Sequence, residues 1–324
     1  MTVKWEPAIY EHKAALIGGS PGEVAESAGL LAGAVLKEYE VYQADYITVG
    51  LDVYNIEAEA LGAKLTTPGN NECPDLAGTL YNLDRLPEHL VLPDIPGAGR
   101  FKLLVEAGKH VRDAIGGSVM VRVAASGPVT MAVKLAGLED LIMSLMLEDG
   151  NAVRLLEFTT QIAGKWCACL RGNELDAIVF DSMVAPPIFS PGMYGQFVLP
   201  LHRRLMNLLE DSGQRERELV IGGNTAPIAG LLKQTGANIL LCDYAADAAA
   251  FKSALGDDSL LKVRRNINPA LLNSNNNGTL AEKFLAELAL FTNSIGGTGI
   301  LPYDFEPDNY LSFRDVCQKQ KRNI

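Results

Sequence analysis

Short apolar runs rich in β-branched residues alternate with helical patterns along this chain, and few folds accommodate that order. Candidate strands are Tyr46–Asp52, Val119–Ala124, Ala177–Asp181, Leu219–Gly222, Asn238–Asp243 and Leu260–Arg264, with a Gly-rich one near Ile295–Leu301. Between them the pattern predicts helices over Pro21–Tyr42, Phe101–Ile115, Leu138–Gly172, Pro191–Ser212, Pro227–Thr235, Asp247–Leu255 and Leu280–Asn293. Such alternation argues for a parallel sheet with crossover helices. No Gly-x-Gly-x-x-Gly turn follows the first strand, so a closed α/β barrel, a single (β/α)8 TIM barrel, is favoured over a dinucleotide-binding sheet. The 324 residues exceed the roughly 250 of a typical barrel. The expected division is an N-terminal helical extension over 1–44 and the barrel over 45–324.

Charge and composition narrow the function classes. The chain carries 39 acidic and 28 basic residues, a net charge of −11, and such a surface repels a phosphate backbone, so nucleic acid is not an expected partner. No apolar run approaches the roughly 20 residues that span a bilayer, and the start of the chain has no signal-like apolar stretch. Five cysteines form no disulfide framework, and their odd number suits a reducing cytoplasm.

In a barrel, chemistry gathers where strands run into the following loops. The first strand leads into Asp52-Val-Tyr-Asn55-Ile-Glu57-Ala-Glu59-Ala-Leu-Gly62, whose polar residues are either cleft residues or the wet face of a short helix. The long segment Thr67–Gly99, rich in Pro, Asn and Asp, is expected to cover the mouth. The second strand gives Ser126-Gly-Pro128-Val-Thr130, a tight turn in which Thr130 would serve as a cap. The third ends in Asp181-Ser182, followed by a Pro-rich loop and by Ser190-Pro191, a good N-cap and first turn for a long helix. The fourth gives Gly222-Gly223-Asn224-Thr225, the fifth Cys242-Asp243, and the sixth Arg264-Arg265-Asn266-Ile-Asn268-Pro269. One of these two arginines would pair with acids at the mouth and the other would meet an anionic substrate. The last gives Gly296-Gly-Thr298-Gly-Ile300, and Glu306-Pro-Asp-Asn309 caps a final helix. Cys167 and Cys169, two apart on a helix, do not face one another, and His202 is expected to face outward or into helix packing.

Taken in order, the Asp52–Gly62 stretch, the Gly127-Pro128-Val-Thr130 turn, Asp181-Ser182, Ser190-Pro191, Phe197-Val-Leu-Pro200 and the Asn266-Ile-Asn268-Pro269 turn resemble the uroporphyrinogen decarboxylase superfamily. The likeness runs from about residue 22 to the C-terminus and is weakest over Thr67–Gly99. It implies the barrel, and it places Asp52 and Ser182 in the active-site cleft.

The motifs that are missing narrow the branch. Residues 1–35 contain no arginine, whereas tetrapyrrole decarboxylases carry an arginine motif there for their polyanionic substrate. Lys134 stands near the place of their tyrosine and Thr298 near that of their histidine. In the zinc-dependent methylcobamide branch the metal ligands fall at positions resembling Val220, Gly222 and Thr298, none of which can bind zinc. The resemblance is then to the demethylating, corrinoid-linked methyltransferases. These move a methyl group from a small donor, such as a methoxyaromatic or a methylated amine, to the cobalt of a partner corrinoid protein.

On that likeness Asp52 and Ser182 are the candidate catalytic residues, Asp52 protonating or positioning the leaving oxygen. Asn55, Asp181, Asn224, Asp243 and Asn266 are candidate substrate contacts. Glu57 and Glu72, fifteen positions apart, with Cys73 and Cys242, are candidate zinc ligands, and His89 and His110 are the nearby histidines. A zinc ion there would act as a Lewis acid on an ether oxygen. A homodimer is a further expectation of the family. Two competing expectations are a non-catalytic barrel binding a small molecule or corrinoid, and a decarboxylase acting on a non-porphyrin acid.

Overall fold

The computed structural model describes residues 3–66, 69, 71–273 and 277–322. Eight strands form one parallel sheet: β1 (Lys4–Ala8), β2 (Tyr46–Val49), β3 (Met120–Ser126), β4 (Asp176–Phe180), β5 (Glu218–Val220), β6 (Ile239–Cys242), β7 (Lys262–Ile267) and β8 (Asn293–Ile300). Their spatial order is β1-β8-β7-β6-β5-β4-β3-β2. The seam between the two end strands is bridged by Trp5 and Asp45. The Asp45 amide donates to the Trp5 carbonyl at 2.9 Å, and the Trp5 amide donates to Asp45 Oδ2 at 2.8 Å. This is the (β/α)8 barrel expected from the alternation.

The segment 1–44 departs from the helical extension expected of it, because it also supplies β1. Glu6 pairs in register with Gly297 of β8. The sequence Lys-Trp-Glu-Pro-Ala gives no sign of this, since Lys, Glu and Pro are all poor strand formers. The strand holds because its neighbour was built to receive it. A Cβ on Gly296 would lie 2.7 Å from the Trp5 ring, so the Gly-rich composition of β8 makes room for the tryptophan. Trp5 in turn packs against Phe284, Tyr310 and Phe313 of the outer helices.

Barrel interiors are filled by layers of four side chains from alternate strands, usually branched and apolar. One layer here is ionic. Glu6 of β1, Arg122 of β3, Glu218 of β5 and Arg264 of β7 interlock, every one of them at most 4% exposed in its side chain. Arg122 Nη2 lies 2.6 Å from Glu6 Oε1, Arg264 Nη1 lies 3.2 Å from Glu218 Oε1, and Arg122–Glu218 and Arg264–Glu6 complete the ring. Arg264 therefore sits inside the barrel and not at its mouth. Strand β7 extends to Ile267 and not to residue 264 as the pattern suggested, so Arg264 falls mid-strand. Tyr46, Ile239 and Ile295 close the interior on the amino-terminal side, the Arg122 guanidinium lying 4.9 Å from the Tyr46 ring centre. Ala8, Ala124, Ile178, Phe180, Val220 and Leu241 form the apolar cluster towards the carboxyl ends.

The helices follow expectation with local breaks. Residues 138–172 divide into Leu138–Met146 and Gly150–Gly172, with Asp149 capping the second through the Asn151 amide. The helix after Ser190-Pro191 widens into a π-turn over Tyr194–Val198 and resumes at Leu199. Pro200 lacks the N–H that a continuous α-helix needs there. Pro128–Ala136 is a helix in its own right, starting at Gly127 without a side-chain cap. The Thr130 hydroxyl instead accepts the Met183 amide, so Thr130 is not the cap it was expected to be. No described helix is long and apolar enough to cross a membrane.

Candidate functional site

Asp52 starts the turn after β2 and organises it. Its Oδ1 accepts the amides of Tyr54 and Asn55 at 3.2 and 3.0 Å, an Asx-type turn. Its Oδ2 receives Arg100 Nη2 at 2.8 Å, and the same guanidinium bonds Glu59 through Nε at 2.5 Å. A carboxylate engaged on both oxygens by amides and a guanidinium anchors the turn. Arg100, the residue before the helix Phe101–Ile115, was not a sequence candidate.

The turn presents Tyr54 to the opposite side of the mouth. Its hydroxyl donates to Ser182 Oγ at 3.2 Å, and the Gly222 amide donates to the same oxygen at 3.3 Å. Burial pushes the Tyr54 phenol above its ordinary value, with the Asp181 and Glu11 charges adding to the rise. Tyr10, Phe180 and Tyr54 form an aromatic arc, Tyr10–Phe180 at 5.9 Å and Tyr54–Phe180 at 6.4 Å between ring centres.

Beside Ser182, Asp243 accepts the Gly223 amide at 2.9 Å and Asn266 Nδ2 at 3.3 Å. Gly223 has φ of +84°, a conformation that a side chain would strain. Ser182, Asp243 and Asn266 thus converge as expected. Asn224 does not join them. It is exposed, and its side-chain Oδ1 accepts the Ala226 amide at 3.3 Å.

Asp181 is a correction. It is fully buried and clamps the start of helix Pro128–Ala136, Oδ1 accepting the Thr130 amide at 2.6 Å and Oδ2 the Val129 amide at 3.2 Å. An anion at a helix N-terminus is favourable there, and the contact is structural, not a substrate contact. Oδ2 also meets His202 Nε2 at 2.7 Å, whose Nδ1 meets the Tyr194 hydroxyl at 2.8 Å. His202 thus lies in this buried chain, inside the helix packing. A Cβ on Gly127 would come within 2.2 Å of Asp181, so this close approach requires glycine.

The candidate zinc ligands do not assemble. Glu57 is buried with both oxygens on Ser126, accepting its amide at 2.8 Å and its hydroxyl at 2.7 Å. Burial raises its carboxyl above the ordinary range. Cys242 is held near an arginine, Arg265 Nη1 lying 3.5 Å from its sulfur, and burial pushes its thiol up to about 11. Glu72 and Cys73 line the mouth, the first exposed and the second half-buried. Among the described residues no group of three or more His, Cys, Asp or Glu side chains is placed to hold a metal ion. The donors present among the described residues therefore do not fit a zinc ion.

Between the turn after β2 and residues 72–75 lies an open cavity of about 380 Å³. It is bounded by Tyr10, Glu11, Asp52, Tyr54 and Asn55 on the barrel side, by Glu72, Cys73, Pro74 and Asp75 on the covering segment, and by Lys134. Asn55 Nδ2 donates to the Pro74 carbonyl at 3.0 Å, fastening the cover to the barrel as the Pro-rich stretch suggested. Three cations near the mouth are engaged by acids of the chain: Arg100 with Asp52 and Glu59, Lys134 with Asp75 at 2.9 Å, and Arg265 with Glu287 at 2.9 Å. Arg265 packs against the outer helix, its guanidinium held by Glu287 and by the Asp243 and Ala246 carbonyls. Thr298 is buried and accepts the Ala8 amide at 3.0 Å, helping to join β8 to β1.

The uroporphyrinogen decarboxylase (URO-D) family matches residues 8–293. Among curated proteins no relative matches. A methyltransferase from Methanosarcina mazei has the same fold with a TM-score of 0.84 at 17% identity, over 99% of this chain and 94% of that one. A Listeria monocytogenes structure assigned as a vitamin-B12-independent methionine synthase is more distant, with a TM-score of 0.57 at 11% identity over 100% and 98%. With residues 8–293 of its 324 inside the family match, the chain belongs to the uroporphyrinogen decarboxylase family.

Proposed function

We propose that the protein is a methyltransferase that holds a small methyl donor in the mouth cavity and passes the methyl group to the cobalt of a separate corrinoid protein. The observation that carries this reading is the electrostatics of the mouth. Arg100, Lys134 and Arg265 are each matched to a carboxylate of the chain itself. A polycarboxylate undergoing decarboxylation needs unmatched cations to offset its charge, whereas a methyl donor needs shape, orientation and an open approach for the acceptor. The two structural neighbours, one named a methyltransferase and the other for a vitamin-B12-independent methionine synthase, support methyl transfer as the class of reaction; the corrinoid acceptor rests on the family resemblance.

The corrinoid, when docked, supplies the nucleophile. The chain's own residues do the positioning. Asp52 and Arg100 fix the turn that carries Tyr54. Tyr54 and the Gly222 amide fix Ser182 Oγ, which braces Tyr54 beside the cavity. The segment 72–75 walls the donor from one side and leaves the other open.

The test is to mix the protein with chemically reduced cob(I)alamin and a panel of methoxyaromatic, tertiary-amine and quaternary-ammonium donors. Methylcob(III)alamin formation, followed by absorbance, is the expected result. Carbon dioxide release from a candidate acid with no methyl transfer from any donor would overturn the reading.

A further inference from the structure

The acids of the cavity outnumber its bases, and two of them stand without a counter-charge. Glu11, Asp52, Glu72 and Asp75 line it against Lys134 alone. Asp52 is matched by Arg100 and Asp75 by Lys134. Glu11 and Glu72 have no ion-pair partner among the described residues, and the Glu11 charge, after burial, adds to what holds the Cys73 thiol above its ordinary value.

A second observation comes from the floor. Asn55 is 95% buried by residue and lines the same cavity. Its Nδ2 is bonded to Pro74, but its Oδ1 is buried with no partner. A buried carbonyl oxygen with no hydrogen-bond donor beside it keeps its negative partial charge unmatched, and a quaternary ammonium, which has no N–H, meets it through charge–dipole and C–H···O contact. An acceptor oxygen, two uncompensated carboxylates and the rings of Tyr10 and Tyr54 all favour positive charge, the rings through their negative faces. An inorganic ion is the poorer occupant, because the acids do not form a coordinating set.

Resting on the methyl-transfer reading, we infer that the donor is an organic cation, an N-methylated quaternary ammonium compound seated between Glu11, Glu72, Asn55 and the rings of Tyr10 and Tyr54. The step balances without a proton. The N–CH3 bond breaks with its electron pair kept by nitrogen, which departs as a neutral tertiary amine. The new bond to the methyl carbon is made by the electron pair of cobalt(I), which becomes formally cobalt(III). This suits a cavity in which the Asp52 carboxylate is tied to Arg100 and the Tyr54 hydroxyl to Ser182.

The experiment is calorimetric titration of the protein, without corrinoid, with choline and with its neutral isostere 3,3-dimethylbutan-1-ol. Choline should bind at least about tenfold more tightly than the isostere. Glu11→Gln and the surface substitution Glu72→Gln should each weaken choline several-fold and leave the isostere unchanged, with far-UV circular dichroism unaltered. Equal affinity of the two compounds, or choline binding indifferent to both substitutions, overturns the inference. Its failure is separable from that of methyl transfer. Transfer from a methoxyaromatic without choline selectivity removes the cation and keeps the reaction. Selective choline binding without transfer from any donor to cob(I)alamin does the reverse.

Discussion

Tyr54 and Ser182, 128 positions apart in the chain, meet across the barrel mouth through a 3.2 Å hydrogen bond. The bond joins the turn after β2 to the turn after β4, and the Gly222 amide after β5 joins it from the third side. The floor of the cavity is thus braced by three separate strand ends.

Replacing Tyr54 separates its ring from its hydroxyl. Tyr54→Phe keeps the aromatic face, so KM for a cationic donor should change by less than about threefold, while kcat falls by up to about tenfold as Ser182 loses a brace. Tyr54→Ala should raise KM by about tenfold or more. Steady-state kinetics on both variants decides it. An equal rise in KM for both would show that the hydroxyl, not the ring, binds the donor.

Arg100 is the only cation paired with Asp52 among the described residues, and both side chains are nearly buried. Removing one partner of such a pair typically costs about 3–5 kcal/mol, because the other charge is left uncompensated. Arg100→Met should therefore destabilise strongly in urea unfolding. Adding Asp52→Asn to it should recover part of the loss. If the double variant is no more stable than Arg100→Met alone, the pair is not the anchor described.

The ionic layer predicts stability effects without binding effects. Arg122→Met strands Glu6 and Glu218 inside the barrel and should cost about 3–5 kcal/mol. Tyr46, Ile239 and the apolar cluster around Phe180 separate this layer from the solvent at both ends. Choline affinity measured on the folded fraction should be unchanged within about twofold.

The barrel was legible because six of its strands announce themselves as apolar runs and a seventh as a Gly-rich segment, and β1 was not, because Lys4, Glu6 and Pro7 break the pattern. Part of the site was legible too. Ser182, Asp243 and Asn266 are polar residues at strand ends, and they converge. Asp181 and Glu57 occupy equally polar positions, yet their partners are the amides of Val129 and Thr130 and the hydroxyl of Ser126. No local pattern shows those long-range bonds, so buried anchors passed for site residues. Arg100 and Glu11 were missed for the same reason. Arg100 sits before a helix remote in sequence from the Asp52 turn it holds, and Glu11 reaches the cavity from a segment 41 positions before Asp52.

Glu57 makes a pH-dependent prediction. Burial holds its carboxyl above the ordinary value in the folded chain, so the folded state binds the proton more readily than the unfolded state. Its contribution to stability is then full below the ordinary carboxylate pKa and is lost as pH rises through the folded value. Glu57→Gln removes that slope. Relative to wild type, the variant should gain stability between pH 4 and pH 8 in urea titrations. A stability difference constant with pH would contradict the assignment.

The central claim is methyl transfer from a donor in the mouth cavity, and a single-turnover reaction with a trideuteromethylated donor tests it most directly. Protein, cob(I)alamin and d9-choline, with a trideuteromethoxy-aromatic in parallel, are quenched and the cobalamin is read by mass spectrometry. The account predicts CD3-cobalamin formed in proportion to the protein, with d9-choline the better donor. Cobalamin that stays free of label with both donors, while the protein is folded and binds choline, would contradict it.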